Sequence, residues 1–219
     1  MAVLRRALDA KVAENERLRG VSLLVMGAVK QALTPLPRLD LPKAPARRAT
    51  GRPEEVAFLH ISDTQIGKRT ASYNSEVAVE RLLELAHKVI RITEVRRQAA
   101  QIDEIHVALG GDMVEGELIF SHQPHLIDQS VFDQALRTTP FVLARVVRLL
   151  LAHFKKVKVF GVVGNHGRPA PKDVGSPPRT NWDRVVYETL RHLFFGSPDA
   201  PRKDPELKRL EIVVPDDFY

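Results

Sequence analysis

The spacing of hydrophobic residues along this chain changes at about residue 54. Residues 3–33 carry apolar side chains four or seven positions apart, which is the spacing of one helix face. From Val56 onward, short and nearly continuous apolar runs alternate with longer stretches of helical periodicity. Strands that are buried on both faces are apolar along most of their length. The alternation therefore predicts an α/β domain with a parallel sheet covered by helices.

Four strands and three helices are predicted in this domain. The strands are expected at residues 56–61, 105–109, 157–163 and 210–214, and the helices at residues 75–99, 130–154 and 180–194. Each helix starts at a side chain that can cap it, namely Ser75, Ser130 with Asp133, and Thr180 with Asp183. Pro140 is expected to kink or split the second helix, because proline removes a helical hydrogen bond.

Prolines separate the two patterns. Residues 34–54 contain five prolines interleaved with Lys and Arg, which prevents a helix or a central strand and favours an extended linker. We therefore expect a helical N-terminal segment at 1–33, a Pro-rich basic linker at 34–54 and the α/β domain at 55–219.

The positive charge is concentrated at the N-terminus. The net charge is +6, and residues 1–53 contain 11 Lys and Arg against 4 Asp and Glu, whereas the rest of the chain contains 22 against 23. This segment is therefore a candidate for contacts with nucleic-acid phosphates, and its apolar stripe could form a homo-oligomer. A solvated helix face or an oligomerisation arm is the simpler interpretation.

The chain contains no cysteine. This excludes disulfides, thiolate zinc sites, iron–sulfur clusters and cysteine nucleophiles, so a metal ion would need carboxylate, imidazole or amide ligands. The longest apolar run, residues 20–29, is about half of a bilayer span and follows residues of both charge signs. We therefore expect neither a signal peptide nor a membrane partner, and a cytoplasmic location.

Polar residues directly follow each of the first three predicted strands. They are Ser-Asp-Thr-Gln at 62–65, Gly-Gly-Asp-Met-Val-Glu at 110–115 and Gly-Asn-His-Gly at 164–167. The carboxyl ends of parallel strands lie at one edge of a sheet, so these loops are expected to converge on one crevice. The side chains brought together there would be Asp63, Gln65, Asp112, Asn165 and His166.

This set is rich in oxygen donors. Two carboxylates from neighbouring strand ends, Asp63 and Asp112, would repel each other in a dry crevice unless one took a proton or a cation lay between them. A divalent cation, or a pair about 3.5–4 Å apart that shares one carboxylate, removes the repulsion. An imidazole beside it, that of His166, is suited to proton transfer near neutral pH.

Three segments of the chain resemble the first three signature motifs of the calcineurin-like metallophosphoesterases. They are FLHISDTQIG at 58–67, GDMVE at 111–115 and GNHG at 164–167. The first is most similar to the motif of the double-strand-break repair nucleases in that superfamily. The motifs occur in the family's order, with 49 residues from Asp63 to Asp112 and 53 from Asp112 to Asn165. The resemblance covers about residues 55–170.

The resemblance implies the N-terminal half of a sheet-centred α/β sandwich with two divalent metal ions. By this resemblance, Asp63 and Gln65 hold the first ion and Asp112 bridges both. Asn165 holds the second ion, and His166 protonates the leaving group. Mn²⁺ is the expected ion, with Mg²⁺, Fe and Zn²⁺ as alternatives. The implied reaction is hydrolysis of a phosphate ester, and the first motif with the basic segment favours a phosphodiesterase or nuclease.

The chain departs from the family pattern in two ways. Gln65 stands where the family has a histidine, and an amide oxygen is a weaker ligand that favours harder ions such as Mn²⁺ or Mg²⁺. The two later histidine motifs of the family have no counterpart, since the last histidine, His192, lies within a predicted helix. We therefore expect the domain to be incomplete at its C-terminus, the alternative being an incomplete site without activity.

Several assignments stay open. A phosphomonoesterase is one alternative, because the three motifs do not distinguish monoesters from diesters. A non-catalytic assembly or binding module with a degenerate metal site is another. Arg168 follows the third motif and could clamp a phosphate, or it could be a solvated loop residue. His60 is expected to be a core or supporting histidine rather than a ligand, and Trp182 a core residue, with base stacking as its minor alternative.

Overall fold

A computed structural model of the chain describes residues 39–46, 51–120, 122–171 and 180–214. Residues 1–33, for which a helix and contacts with nucleic acid or a second copy of the chain are predicted, lie outside these ranges. The described linker residues 39–46 form neither helix nor strand. The backbone carbonyl of Leu39 accepts a hydrogen bond from Arg202 (2.8 Å), and that of Pro42 accepts one from Arg209 (2.6 Å). This part of the linker is therefore attached to the α/β domain.

Four parallel strands form the central sheet. They are β1 (Glu54–Ile61), β2 (Gln101–Leu109), β3 (Lys156–Gly161) and β4 (Leu210–Val213), hydrogen-bonded in that order. In the register of the sheet, Leu59 is opposite Val107, and Val107 is opposite Val159. The predicted α/β class with a parallel sheet is confirmed. The metallophosphoesterase sandwich stays a prediction, since the other sheet in the described residues is a small hairpin of Gly196–Ser197 and Ala200–Pro201.

The first helix, α1 (Ser75–Arg96), packs against the domain through a stripe of buried residues at helical spacing, Ala78, Leu82, Ala86 and Ile90. Its N-cap is Asn74, whose side chain accepts from the N–H of Val77 (2.9 Å). The prediction of Ser75 as the cap is therefore wrong by one residue. The Ser75 hydroxyl instead donates to the Asp128 carboxylate (2.6 Å).

The second helical region is not uniform. A single turn, Val131–Asp133, starts at Ser130, whose hydroxyl accepts from the N–H of Asp133 (3.2 Å) as predicted. A π-helical turn, Gln134–Thr138, then leads into α2 (Thr139–His153). The irregularity expected at Pro140 therefore lies one turn before it, where the wider turn accommodates a residue that has no N–H.

The third helix, α3 (Trp182–Phe195), begins after Asn181, whose side chain accepts from the N–H of Asp183 (2.9 Å). The predicted cap of Thr180 with Asp183 is therefore wrong. The Asp183 carboxylate points away from the helix start, toward the ends of β2 and β3, as described below.

The two faces of the sheet differ in burial. Toward the carboxyl ends of β1, β2 and β3, the side chains on one face of the sheet are buried. The side chains that alternate with them, on the other face, are half-buried or exposed. On β1, Val56 is 54% and Phe58 is 67% exposed. His60 shares that face and is exposed, so its interpretation as a core histidine is wrong. Within the described ranges, no helix is long and apolar enough to cross a membrane.

Candidate active site at the strand ends

The first two motif loops are joined by backbone hydrogen bonds beyond the sheet. The N–H of Asp63 donates to the carbonyl of Gly111 (3.1 Å), and the N–H of Gln65 donates to the carbonyl of Asp112 (2.9 Å). The pairing of β1 with β2 therefore continues into the loops that carry the candidate ligands.

The third motif loop packs against the second. The backbone N–H of His166 donates to Oδ1 of Asp112 (2.7 Å). Gly164 lies so close to Asp112 that a Cβ at this position would overlap the carboxylate, so only glycine fits. The predicted convergence of the three loops at one edge of the sheet is confirmed.

A buried carboxylate beneath the loops holds them together. Asp183 is fully buried and accepts backbone hydrogen bonds from four N–H groups, those of Asp112 (2.8 Å), Met113 (3.0 Å), Val114 (3.3 Å) and Gly164 (2.8 Å). Burial raises the pKa of Asp183 to about 6, while the backbone N–H groups act in the opposite direction. The sequence reasoning missed this role because the partners of Asp183 are distant in the chain.

Three of the candidate ligand positions have an unusual backbone. Asp63 (φ 54°), Gln65 (φ 42°) and Asp112 (φ 53°) are the non-glycine residues with positive φ among the described residues. The left-handed region is unfavourable for side chains with a Cβ, and such residues cluster at functional sites. Their occurrence at three predicted ligand positions is independent support for a site here.

His166 is paired with an acid. Its Nδ1 atom lies 3.2 Å from Oε2 of Glu115 and 3.1 Å from the backbone carbonyl of Glu115, and both side chains are largely buried. Oε2 accepts no aligned hydrogen bond from a described residue, and its contact with the imidazole becomes an ion pair when His166 is protonated. Glu115 raises the pKa of His166, and burial opposes the shift. Glu115 is the last residue of the second motif, and nothing in the sequence indicated its contact with His166.

Gln65 faces His166 rather than open space. Its Nε2 atom is 3.4 Å from Nε2 of His166, and Nζ of Lys68 donates to its Oε1 atom (2.7 Å). An ammonium group can only donate, so the amide oxygen must face Lys68 and the NH₂ group must face the imidazole. The oxygen predicted to bind a metal ion therefore already accepts a hydrogen bond, and ligation by Gln65 stays a prediction.

The remaining donors suit a hard cation. Asp63 and Asn165 are exposed, and no described residue forms a hydrogen bond or ion pair with the Asp63 carboxylate. The Asp112 carboxylate is nearly buried. Nowhere in the described ranges do three or more His, Asp or Glu side chains form a group placed to hold a metal ion. Carboxylate and amide oxygens at one edge fit Mn²⁺ or Mg²⁺ better than Zn²⁺.

Two further residues flank the third motif. Arg168 is half-buried, and its backbone N–H donates to the carbonyl of Asn165 (3.4 Å), so a phosphate contact by its guanidinium stays a prediction. The N–H of Trp182 donates to the carbonyl of Gly167 (2.7 Å), and its ring meets Phe132 edge to face with centroids 6.3 Å apart. Trp182 is half-buried, so it packs at the rim of the site rather than in the core.

Neither a protein-family model nor a curated protein matches this chain. What the site does is therefore inferred from its residues and their geometry.

Proposed function

We propose that this protein is a metal-dependent phosphoesterase that hydrolyses phosphodiesters as a nuclease. The observation that carries the proposal is the direct contact of Asp112 with the backbone of His166, which joins a candidate metal ligand to a candidate proton donor. The resemblance of the three motifs to those of the calcineurin-like metallophosphoesterases supports the reaction class.

The strand-end oxygens would hold the metal ions. Asp63, Asp112 and Asn165 are the proposed main ligands, and Gln65 is a weaker one. When bound, divalent ions at such a site neutralise charge on the phosphate and lower the pKa of a bound water.

His166 would supply the proton that the leaving oxygen needs. Because Glu115 raises its pKa, the imidazole holds its charged form to a higher pH than an isolated histidine. As a water oxygen bonds to phosphorus and the bond between phosphorus and the leaving oxygen breaks, that leaving oxygen takes the Nε2 proton. The Nδ1 proton stays on the side of Glu115. Nε2 can donate only if the NH₂ group of Gln65 turns aside, since in the structure that group faces it.

A nuclease assay with Mn²⁺ tests the proposal. The protein should cleave DNA oligonucleotides, and Asp112→Asn should abolish cleavage because the variant loses a carboxylate at the centre of the ligand set. Asp103→Asn is the matched control, since Asp103 lies at the opposite end of β2 and pairs with Lys155 (2.8 Å). Cleavage that survives Asp112→Asn would exclude this site as its source.

Two simple substrates distinguish diesters from monoesters. A phosphodiesterase should hydrolyse bis(p-nitrophenyl) phosphate faster than p-nitrophenyl phosphate. The reverse order would assign the site to phosphomonoesters.

A binding module without activity is the second candidate function, and the contact of Lys68 with Gln65 favours it because this contact engages a predicted ligand oxygen. Elemental analysis after dialysis against Mn²⁺ separates the two candidates. A chain that retains no metal would point to the binding module. In either case the basic N-terminal segment is proposed to contact nucleic acid, and the helix predicted within it is proposed to contact a second copy of the chain.

A further inference from the structure

An exposed phenyl ring lies against the proposed proton donor. The ring centroids of Phe120 and His166 are 5.7 Å apart, with their planes at 67°. Phe120 is 49% exposed, whereas His166 is 8% exposed. The phenyl ring therefore presents open surface immediately beside a buried reactive group.

The backbone N–H groups at this ring and at the residue before it are bonded to one buried side chain. The N–H groups of Ile119 (2.9 Å) and Phe120 (3.3 Å) both donate to Oε1 of Gln123, which is 2% exposed. Nε2 of Gln123 donates in turn to the carbonyl of Glu115. Glu115 also contacts His166, so the phenyl ring and the imidazole are positioned by the same residue.

An exposed apolar side chain needs no function in itself, since such residues are common on protein surfaces. The position of Phe120 is what distinguishes it from Phe58, which is exposed on the open face of β1. A phosphate at the strand ends, with its leaving oxygen near His166, would bring the neighbouring part of the substrate to the Phe120 ring.

The chemistry of a phenyl face favours a planar, aromatic partner. In a nucleic acid that partner is a nucleobase, and stacking of bases on aromatic side chains contributes to the binding of single strands. A base inside a duplex is already stacked on both faces, whereas an unpaired base has a face to offer. Because Phe120 is a single ring on a short loop, it would contact one base.

We propose that Phe120 stacks on an unpaired nucleobase next to the scissile phosphate, which makes the substrate single-stranded or frayed nucleic acid. Phe120 is then a specificity-determining residue. The inference rests on the proposed function, because it requires the phosphate to bind at the strand ends.

Kinetics on two single strands test this inference in the full chain with Mn²⁺. The substrates are a ten-residue oligothymidylate and an abasic phosphodiester of the same length. Phe120→Leu should raise KM for oligothymidylate about tenfold or more and leave KM for the abasic strand unchanged. Phe120→Trp, which keeps an aromatic face, should stay near the parent value. Phe58→Leu is the control for loss of an exposed phenyl ring elsewhere.

Two outcomes of these kinetics would contradict the stacking of Phe120 on a base. An equal change on both strands would show that the ring only packs on His166, and no change on either strand would show that it does not contact substrate. Either result overturns the inference while leaving the phosphoesterase proposal intact.

A chain that cleaves neither strand would refute the nuclease proposal instead. Fluorescence anisotropy with the same two strands would then decide on stacking. Tighter binding of oligothymidylate than of the abasic strand, lost in Phe120→Leu, would support stacking. Equal affinity of the parent protein for both strands would refute stacking.

Discussion

The carboxylate of Asp183 accepts the backbone N–H of Asp112 at 2.8 Å, so a buried acid at the start of α3 supports a candidate metal ligand at the end of β2. The same carboxylate binds the N–H of Gly164 in the third motif. One side chain thus fixes the distance between the second and third motif loops.

Asp183→Asn should lower the free energy of unfolding by about 2–6 kcal/mol. The amide offers one acceptor oxygen and turns its NH₂ group toward N–H donors, so at least two buried backbone N–H groups lose their partner, at about 1–3 kcal/mol each. Urea unfolding measures the change. Asp40→Asn is the matched control, because Asp40 is exposed, and it should change stability by less than about 0.5 kcal/mol. A similar loss in both variants would contradict the role assigned to Asp183.

The parts of the fold that the sequence predicted are those set by local pattern. Continuous apolar runs predicted the parallel strands, and polar residues at the strand ends predicted the converging loops. The first and third helix caps were misplaced by one residue, because Asn74 and Asn181 adjoin the predicted caps and accept hydrogen bonds equally well. A core position for His60 was wrong because the alternation along β1 does not tell which faces of the sheet are covered, whereas its supporting role stays a prediction.

The supporting residues of the candidate site could not be predicted in the same way. Asp183 acts on backbone groups about 70 positions earlier in the chain, and Glu115 meets His166 across 51 positions. Gln123 begins a single 3₁₀ turn, Gln123–His125, in a segment without a recognisable motif. Contacts of this kind depend on tertiary packing, which hydrophobic periodicity does not encode.

The ion pair of His166 with Glu115 should set the pH dependence of catalysis. Since Glu115 raises the pKa of His166, the charged imidazole and the stability from this pair are fully present below about pH 6.5 and are lost as pH rises through the raised value. Glu115→Gln should therefore move the decline of kcat at high pH to a lower pH. NMR titration of the His166 ring checks the shift without turnover. An unchanged titration in Glu115→Gln would show that Glu115 does not control the imidazole.

The identity of residue 65 should control the first metal ion. Gln65→His should raise the affinity for metal and extend binding from Mn²⁺ toward Zn²⁺, because imidazole is the better ligand for zinc. Lys68→Met should raise Mn²⁺ affinity more modestly, since it frees the amide oxygen that now accepts from Lys68. Asp112→Asn should abolish binding. Calorimetric titration compares the variants, and unchanged affinity in Gln65→His would limit the ligands of the first motif to Asp63.

The left-handed backbone at residue 65 should make a glycine variant more stable than an alanine variant, which is the reverse of their usual order of stability in a helix. Gln65→Gly should be more stable than Gln65→Ala by about 1 kcal/mol, because glycine adopts φ 42° without strain from a Cβ. On α1, Lys88→Ala should be more stable than Lys88→Gly by about 1 kcal/mol, which is the normal helical order. Chemical denaturation of the four variants measures both differences. If the alanine variant were the more stable one at both positions, residue 65 would have to relax to an ordinary backbone conformation.

The chain contains one tryptophan, Trp182, whose backbone N–H donates to the carbonyl of Gly167 in the third motif and whose ring contacts Phe132. Its indole is therefore an intrinsic fluorophore at a single known location, and Trp emission can be assigned without labels or added mutations. A change in that emission on adding Mn²⁺ would report a change around the rings of Trp182 and Phe132, next to the third motif. The protein thus contains its own optical probe for loading of the candidate site, independent of whether any substrate turns over.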